Sequence, residues 1–229
     1  MKVKKHKSFE GVYWLDSRLG TVNLTPGIKV YGEKLIRKGG VEYRLWDAYR
    51  SKPAAAIHKG LRVFPLFKGA RILYLGIASG TTASHFSDII GRDGMTYGIE
   101  VSGRVLRELL DVAKVRKNIM PILANARMPE EYAWIDEVDI VYADVAIPDM
   151  SDVLIRNCKA FLKKKGWAMI AIKARSIDVT MKPTKVYEQE RKKLNYAETF
   201  GKWKYSTLAL AILFMASYGI AHFMVYGSI

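Results

Sequence analysis

A chain of 229 residues that is 50% hydrophobic and 26% charged reads as globular, with core enough for one large α/β domain or a small module joined to a medium one. With 37 Lys and Arg against 22 Asp and Glu, the formal net charge of +15 favours a polyanionic partner, nucleic acid first, through phosphate neutralisation and counterion release. Cys158 is the only cysteine, which excludes an intramolecular disulfide and a cysteine-rich zinc site and fits a reducing compartment.

The basic residues are spread along the chain, in "MKVKKHK" at the start, "FLKKKG" at 161 to 166 and "KPTKVYEQERKKL" at 182 to 194. No apolar segment follows the charged start, so no secretory signal is expected. Over residues 1–50, the β-like runs "GVYWL", "IKVYG" and "VEYRLW" alternate with the turn signals "TPG" and "KGG", which predicts a small antiparallel β module. Tyr13, Trp14 and Trp46 are expected there as exposed aromatics of a protein interface, with core packing as the alternative.

A second domain is expected over 51–229. "SKPAAAIHKGLRVF" predicts a helix with Pro53 in its first turn, where a missing N–H costs nothing. Then come a strand at 71–77, a helix near 81–91, a strand at 96–101, a helix near 103–117, strands at 119–125 and 138–146, a helix near 150–165, a strand at 167–174 and a helix near 183–194. Strands and helices alternating at that length predict a mostly parallel, doubly wound sheet covered on both faces. Cys158, in the helical pattern "VLIRNCKAFLKK", reads as a small core residue.

From Tyr205 to Ile229 no residue carries a full charge, a length sufficient to span a bilayer. Three readings compete: a buried β-hairpin ending in "HFMVYG", a sequence or reading-frame anomaly confined to 198–216, and a membrane anchor. Gly219 and His222 within the span, and the lack of a polar exit beyond it, stand against the anchor.

The turn after the first strand of the large sheet is where such folds take ligands. "LGIASGTT" places Gly76, Ala78 and Gly80 in a G-x-A-x-G pattern, followed by Thr81 and Thr82 at the start of a helix. Small residues let a ligand approach the main chain, and threonines supply hydroxyls. Glu100 closes the next strand, where an acid accepts hydrogen bonds from ribose hydroxyls. An adenosine-containing cofactor follows, either a nicotinamide dinucleotide or S-adenosylmethionine. The lack of G-x-G-x-x-G favours the latter.

"YLGIASGTTASHFSDIIGRDG", "YGIEV", "YADVAIPD", "AIKARSIDVT" and "NLTPGIKVYGEKLIRKGGVEYRLWDAYRSKPAAAI" together resemble the fibrillarin family, the 2′-O-methyltransferases of box C/D ribonucleoproteins, in its short archaeal form. The likeness runs from about Lys5 to Leu194 and implies a Rossmann-like S-adenosylmethionine-dependent methyltransferase sheet with a terminal antiparallel hairpin. It also implies that Thr81 and Thr82, Glu100 and Val101, Asn125 and Ala126, and Asp144, Val145, Ala146 and Ile147 hold S-adenosylmethionine, with Gly76 and Ala78 in the turn beside them. Where the family has Asp at 125 and Gln at 147 and 150, this chain has Asn125, Ile147 and Met150, so weakened cofactor affinity is expected.

The resemblance assigns catalysis to Lys52, Asp144 and Lys173 around the target hydroxyl. Asp144 would accept its hydrogen bond, Lys173 would stabilise the developing oxyanion or act as base, and Lys52 would complete the clamp. His222 is a further catalytic position, with Ala221 in place of the family's Asp. No metal site is implied. The partners implied are a box C/D guide RNA with target rRNA or tRNA, a Nop-family scaffold protein and a kink-turn-binding ribosomal-type protein. Those partners would deliver the target, because no RNA-reading motif is visible in this chain. A cytoplasmic archaeal protein, with no membrane partner, is implied as well. Two other functions remain open: a catalytically weakened structural subunit of the same particle, and an NAD-dependent Rossmann oxidoreductase, which the missing third glycine disfavours.

Overall fold

A computed structural model describes residues 1–199 and, within the tail, the strands Leu210–Leu213 and Phe223–Tyr226. Five short strands form the first sheet: β1 (Val3–Lys5), β2 (Val12–Leu15), β3 (Arg18–Val22), β4 (Leu35–Lys38) and β5 (Val41–Leu45). All neighbours are antiparallel, in the order β1-β2-β3-β5-β4. Gly39 and Gly40 both take positive φ between β4 and β5, as a two-residue hairpin turn requires. The expected strand "IKVYG" is a loop instead. The N–H groups of Val30 and Tyr31 donate to the Glu33 carboxylate at 3.0 and 2.9 Å, so a side chain takes the donors that a ladder would need. Residues of β1, β3 and β4 were not expected as strands.

The second sheet contains β6 (Arg71–Leu75), β7 (Met95–Glu100), β8 (Ile119–Leu123), β9 (Val138–Ala143), β10 (Leu162–Ile170), β11 (Leu210–Leu213) and β12 (Phe223–Tyr226). Their order is β12-β11-β10-β9-β6-β7-β8, parallel throughout except for the β11/β12 pair. Six helices accompany it: α1 (Lys52–His58), α2 (Thr81–Ile90), α3 (Gly103–Val115), α4 (Met150–Phe161), α5 (Ala174–Ile177) and α6 (Pro183–Thr199). The α/β fold, mostly parallel with an antiparallel terminal pair and a separate antiparallel N-terminal sheet, is the one expected. His222, Ala221 and most of 198–216 lie outside the described residues. Among the described residues no helix is long and apolar enough to cross a membrane.

Strand alternation sorts the core into two layers. Leu73, Leu75, Val141 and Ile170 pack with Val153, Leu154 and Cys158 of α4, whereas Ile72, Tyr74, Ile140 and Tyr142 pack with α1 and α2. The second layer also takes in Phe9, Val12, Leu19 and Trp46, so the N-terminal sheet shares a hydrophobic cluster with α2. Trp46 is therefore not exposed: it is 2% accessible and stacks on His85 at 5.0 Å between ring centres. Tyr13 and Trp14 are half-buried, edge-on to Tyr43 and His58.

Two helices are shorter than their sequence patterns. α1 stops at His58, where Gly60 turns left-handed and the Leu61 N–H closes back on the Ala56 carbonyl at 3.0 Å. α4 stops at Phe161 and β10 begins at once, with an irregular register between Leu162 and Trp167. Gly166 lies inside that irregularity, and a Cβ there would stand 3.0 Å from the Asp139 carbonyl oxygen.

Candidate active site

The turns after β6, β7, β8 and β9 and the chain after β10 meet at the carboxyl edge of the parallel strands. Gly76, Ala78 and Gly80 all have positive φ, and this succession of left-handed residues carries β6 into α2. A Cβ on Gly76 would lie 2.8 Å from the Val145 side chain and 3.0 Å from the Asp144 carbonyl oxygen, so the turns after β6 and β9 are in contact. Glu100 is fixed by two main-chain donors, Ala78 N–H at 3.1 Å and Ser102 N–H at 2.9 Å. That arrangement sets a half-exposed carboxylate at the crevice between β6 and β7 with lone pairs to spare. Val101 beside it is 71% exposed, and Ala78 is exposed too. Gly80 caps α2 without a side-chain acceptor, so Thr81 and Thr82 open the helix at a positive end that suits a carboxylate.

After β8, Asn125 Oδ1 accepts from Arg127 N–H at 3.0 Å, which closes the loop on itself, and Asn125 N–H donates to Glu131 at 2.8 Å. The carbonyl of Ala126 is held by Asn157 Nδ2 at 2.8 Å. After β9, Val145 is half-buried and Ala146 exposed, while Ile147 packs against the α4 layer and Met150 is fully buried. The apolar residues at 147 and 150 thus serve packing. Arg127 and Asp149 form a forked ion pair that ties the β8 and β9 loops, and the guanidinium holds the Asp149 carboxyl below its usual range. Sequence reading did not find this pair, since the partners stand 22 positions apart with no motif linking them.

Lys52, Asp144 and Lys173 converge. Lys52 is the first residue of α1, Asp144 follows β9, and Lys173 precedes α5. The Lys52 ammonium lies 2.6 Å from Asp144 Oδ1 and donates to Oδ2 at 2.7 Å. The Lys173 ammonium lies 3.1 Å from Oδ1 and donates to the Asp144 carbonyl oxygen at 3.2 Å. Oδ1 thus lies within ion-pair distance of both cations. The three side chains are 19%, 10% and 29% exposed, which opens the cluster to a reactant without flooding it. Ser51, missed in the sequence, accepts from Thr82 Oγ1 at 3.0 Å and so fastens the start of α1 to the start of α2.

The donor set fits S-adenosylmethionine: an anchored carboxylate for a ribose, a bare helix start for a carboxylate, small residues where the turns close in, and Asp144 for a positive sulfur. Fibrillarin is also what comparison with known proteins returns, the family profile matching residues 3–228. The fibrillarin-like rRNA/tRNA 2′-O-methyltransferase of Sulfolobus acidocaldarius is 56% identical over 182 residues, 79% of either chain. The Pyrococcus furiosus protein of the same name is 51% identical over 201 residues, covering 85% of this chain and 88% of that one. Among solved structures, Aeropyrum pernix fibrillarin with natively bound S-adenosyl-L-methionine superposes with TM-score 0.80 at 51% identity, over 86% of this chain and 89% of that one. A fibrillarin/Nop5p complex matches with TM-score 0.75 at 39% identity, over 83% and 88%. Sequence and overall fold agree with those relatives over most of the chain, and the protein belongs to the fibrillarin family.

Proposed function

We propose that this chain methylates the 2′-hydroxyl of a ribose in rRNA or tRNA, using S-adenosylmethionine, as the catalytic subunit of a guide-RNA particle. The observation that carries the reading is the meeting of Lys52, Asp144 and Lys173 beside the turn that begins at Gly76.

When bound, S-adenosylmethionine supplies an electrophilic methyl group on a positively charged sulfur. Glu100 accepts hydrogen bonds from the cofactor's ribose, the start of α2 at Thr81 and Thr82 holds its carboxylate, and the Asn125 to Ala126 loop borders the adenine. Asp144 accepts the hydrogen bond of the incoming ribose hydroxyl and offsets the sulfonium charge. The hydroxyl oxygen would take the methyl group as the S–C bond breaks, with Lys173 stabilising the developing oxyanion while the proton is lost to water. Lys52 holds Asp144 in line meanwhile, and positioning of this kind supplies much of the barrier reduction.

A relative is seen with Nop5p, and a Nop-family scaffold is accordingly the protein partner proposed here. A kink-turn-binding ribosomal-type protein and the guide RNA complete the particle, and the net charge of +15 suits those phosphates. The test is methyl incorporation into RNA with and without guide and scaffold. Incorporation should need both and should vanish in Lys173→Ala while S-adenosylmethionine binding persists. Equal turnover in that variant would refute the assignment.

A further inference from the structure

Beneath Asp144 lies a line of buried hydroxyls, and two of them, on Tyr74 and Tyr142, take no part in the chemistry above. Tyr74 and Tyr142 are paired across β6 and β9, 2% and 0% exposed, with rings 4.7 Å apart and nearly perpendicular. Residues two apart on a strand share a face, so Tyr142 lies under Asp144. Its hydroxyl is sealed from solvent and lies within hydrogen-bonding reach of the Asp144 carboxylate and the Tyr74 hydroxyl. The Tyr74 hydroxyl borders Thr82, and Thr82 donates to Ser51, the residue before Lys52. A path of side-chain hydroxyls therefore runs from Asp144 to the helix start that carries Lys52.

A hydroxyl sealed in the interior has to be paired there, and the partners within reach of Tyr142 are the Asp144 carboxylate and the Tyr74 hydroxyl. Asp144 Oδ1 itself lies 2.6 Å from the Lys52 ammonium and 3.1 Å from that of Lys173. A ribose oxygen entering the cluster competes with Asp144 for Lys52 and Lys173. At that moment the carboxylate needs another donor to stay oriented.

We propose that Tyr142 is a positioning residue of the methyl-transfer site: its hydroxyl donates to the Asp144 carboxylate when substrate draws an ammonium group away, and Tyr74, Thr82 and Ser51 hold the phenol ready. The proposal rests on the reading of this site given above. The titratable groups facing Asp144 are Lys52 from α1, Lys173 after β10, and Tyr74 and Tyr142 from β6 and β9. Burial foremost, and then the nearby Asp144 charge, keep both phenols protonated far above the usual range, so each remains a donor.

The experiment is single-turnover methyl transfer by the assembled particle, with scaffold and guide RNA, as a function of S-adenosylmethionine concentration. Tyr142→Phe should lower the saturating rate roughly tenfold. The S-adenosylmethionine concentration giving half of that rate and the thermal stability should both be unchanged, whereas a purely structural tyrosine would show a lower melting temperature and an unmoved saturating rate. A wild-type saturating rate in Tyr142→Phe would overturn the proposal and leave the methyltransferase reading standing. Absence of transfer by the unsubstituted particle would overturn both. If Tyr142→Phe does not fold, Tyr74→Phe should slow the saturating rate roughly threefold, and a wild-type rate there counts against the proposal equally.

Discussion

Two acids in this molecule each sit between two cations, and they are put to opposite uses. Asp144 lies between Lys52 and Lys173 in a cluster that is 10–29% exposed, whereas Asp88 lies between Arg44 and Arg116 with every one of those side chains at 0%. The oxygens of Asp88 are fully spent. Oδ1 accepts from Arg116 at 2.6 Å and Leu24 N–H at 2.9 Å, and Oδ2 accepts from Arg44 at 2.8 Å and Thr21 at 2.6 Å. Arg44 goes on to Glu33 at 2.6 Å and to both the hydroxyl and carbonyl of Ser84, and Arg116 to Asn23 at 3.0 Å. This cluster fastens the N-terminal sheet to α2, the helix whose first turn carries Thr81 and Thr82.

The difference lies in geometry as much as burial. A guanidinium is a rigid fork that fills several acceptors at once, and a closed interior tolerates charge only when every partner is met. An ammonium on a flexible stem makes a looser bond and can follow a moving oxygen. Asp144 is held by two ammonium groups where solvent still reaches, and Asp88 by four directed hydrogen bonds where it does not.

That contrast can be broken by experiment, the largest effect first. Asp88→Ala leaves the buried Arg116 without a carboxylate and Arg44 with Glu33 alone, and should cost about 3–5 kcal/mol in denaturant unfolding, enough to undo the fold in a marginal background. A loss below 1 kcal/mol would mean that the cluster is not what joins the sheet to α2. Lys52→Arg retains charge but replaces a mobile ammonium with a fork. Methyl transfer should fall by about 10²–10³-fold, as for loss of one oriented donor, with stability nearly unchanged. The mirror exchange Arg44→Lys should do the reverse, costing about 2–3 kcal/mol because the ammonium cannot reach Glu33, Asp88 and Ser84 together. If both exchanges changed the same property, the division of labour drawn here would be wrong.

His85 sharpens the comparison through pH. Burial, reinforced by the charges of Arg44 and Arg116, holds its pKa well below the ordinary 6.5, so the folded protein keeps it neutral while the unfolded chain protonates near 6.5. Stability is then full above that value and falls as pH drops below it, in proportion to the gap between the two values. His85→Gln should flatten the slope of unfolding free energy between pH 6.5 and 5, and an identical slope would remove His85 from the account. The smallest effect is expected at Arg127 and Asp149, whose side chains are 41% and 38% exposed. Their double replacement by alanine should cost at most about 0.5 kcal/mol and should show instead as weaker S-adenosylmethionine binding through a looser β8 to β9 junction. Calorimetry of both quantities on one sample tests it.

Much of this was legible beforehand where local chemistry rules. The small-residue turn at Gly76 to Gly80, the acid ending β7 and the alternation of strand and helix all follow from residue type and spacing. The lysines at 52 and 173 and the acid at 144 could be named only through likeness to a family, since 92 and 29 positions separate each from the acid that it meets. "IKVYG" misled because its β-formers were outweighed by Glu33, the next residue, which captured the backbone donors of Val30 and Tyr31. Trp46 misled because a tryptophan in a short sheet carries no mark of which face will be covered.

What composition and order of residues determined alone is the doubly wound sheet, its crevice and the charge that draws a polyanion, because periodicity and turn chemistry act over a few positions. What only the tertiary structure decided is how each acid is spent. Whether a carboxylate between two cations becomes a sealed joint or an open acceptor depends on how many donors folding brings to it from distant strands, and burial sets how much each missing donor costs.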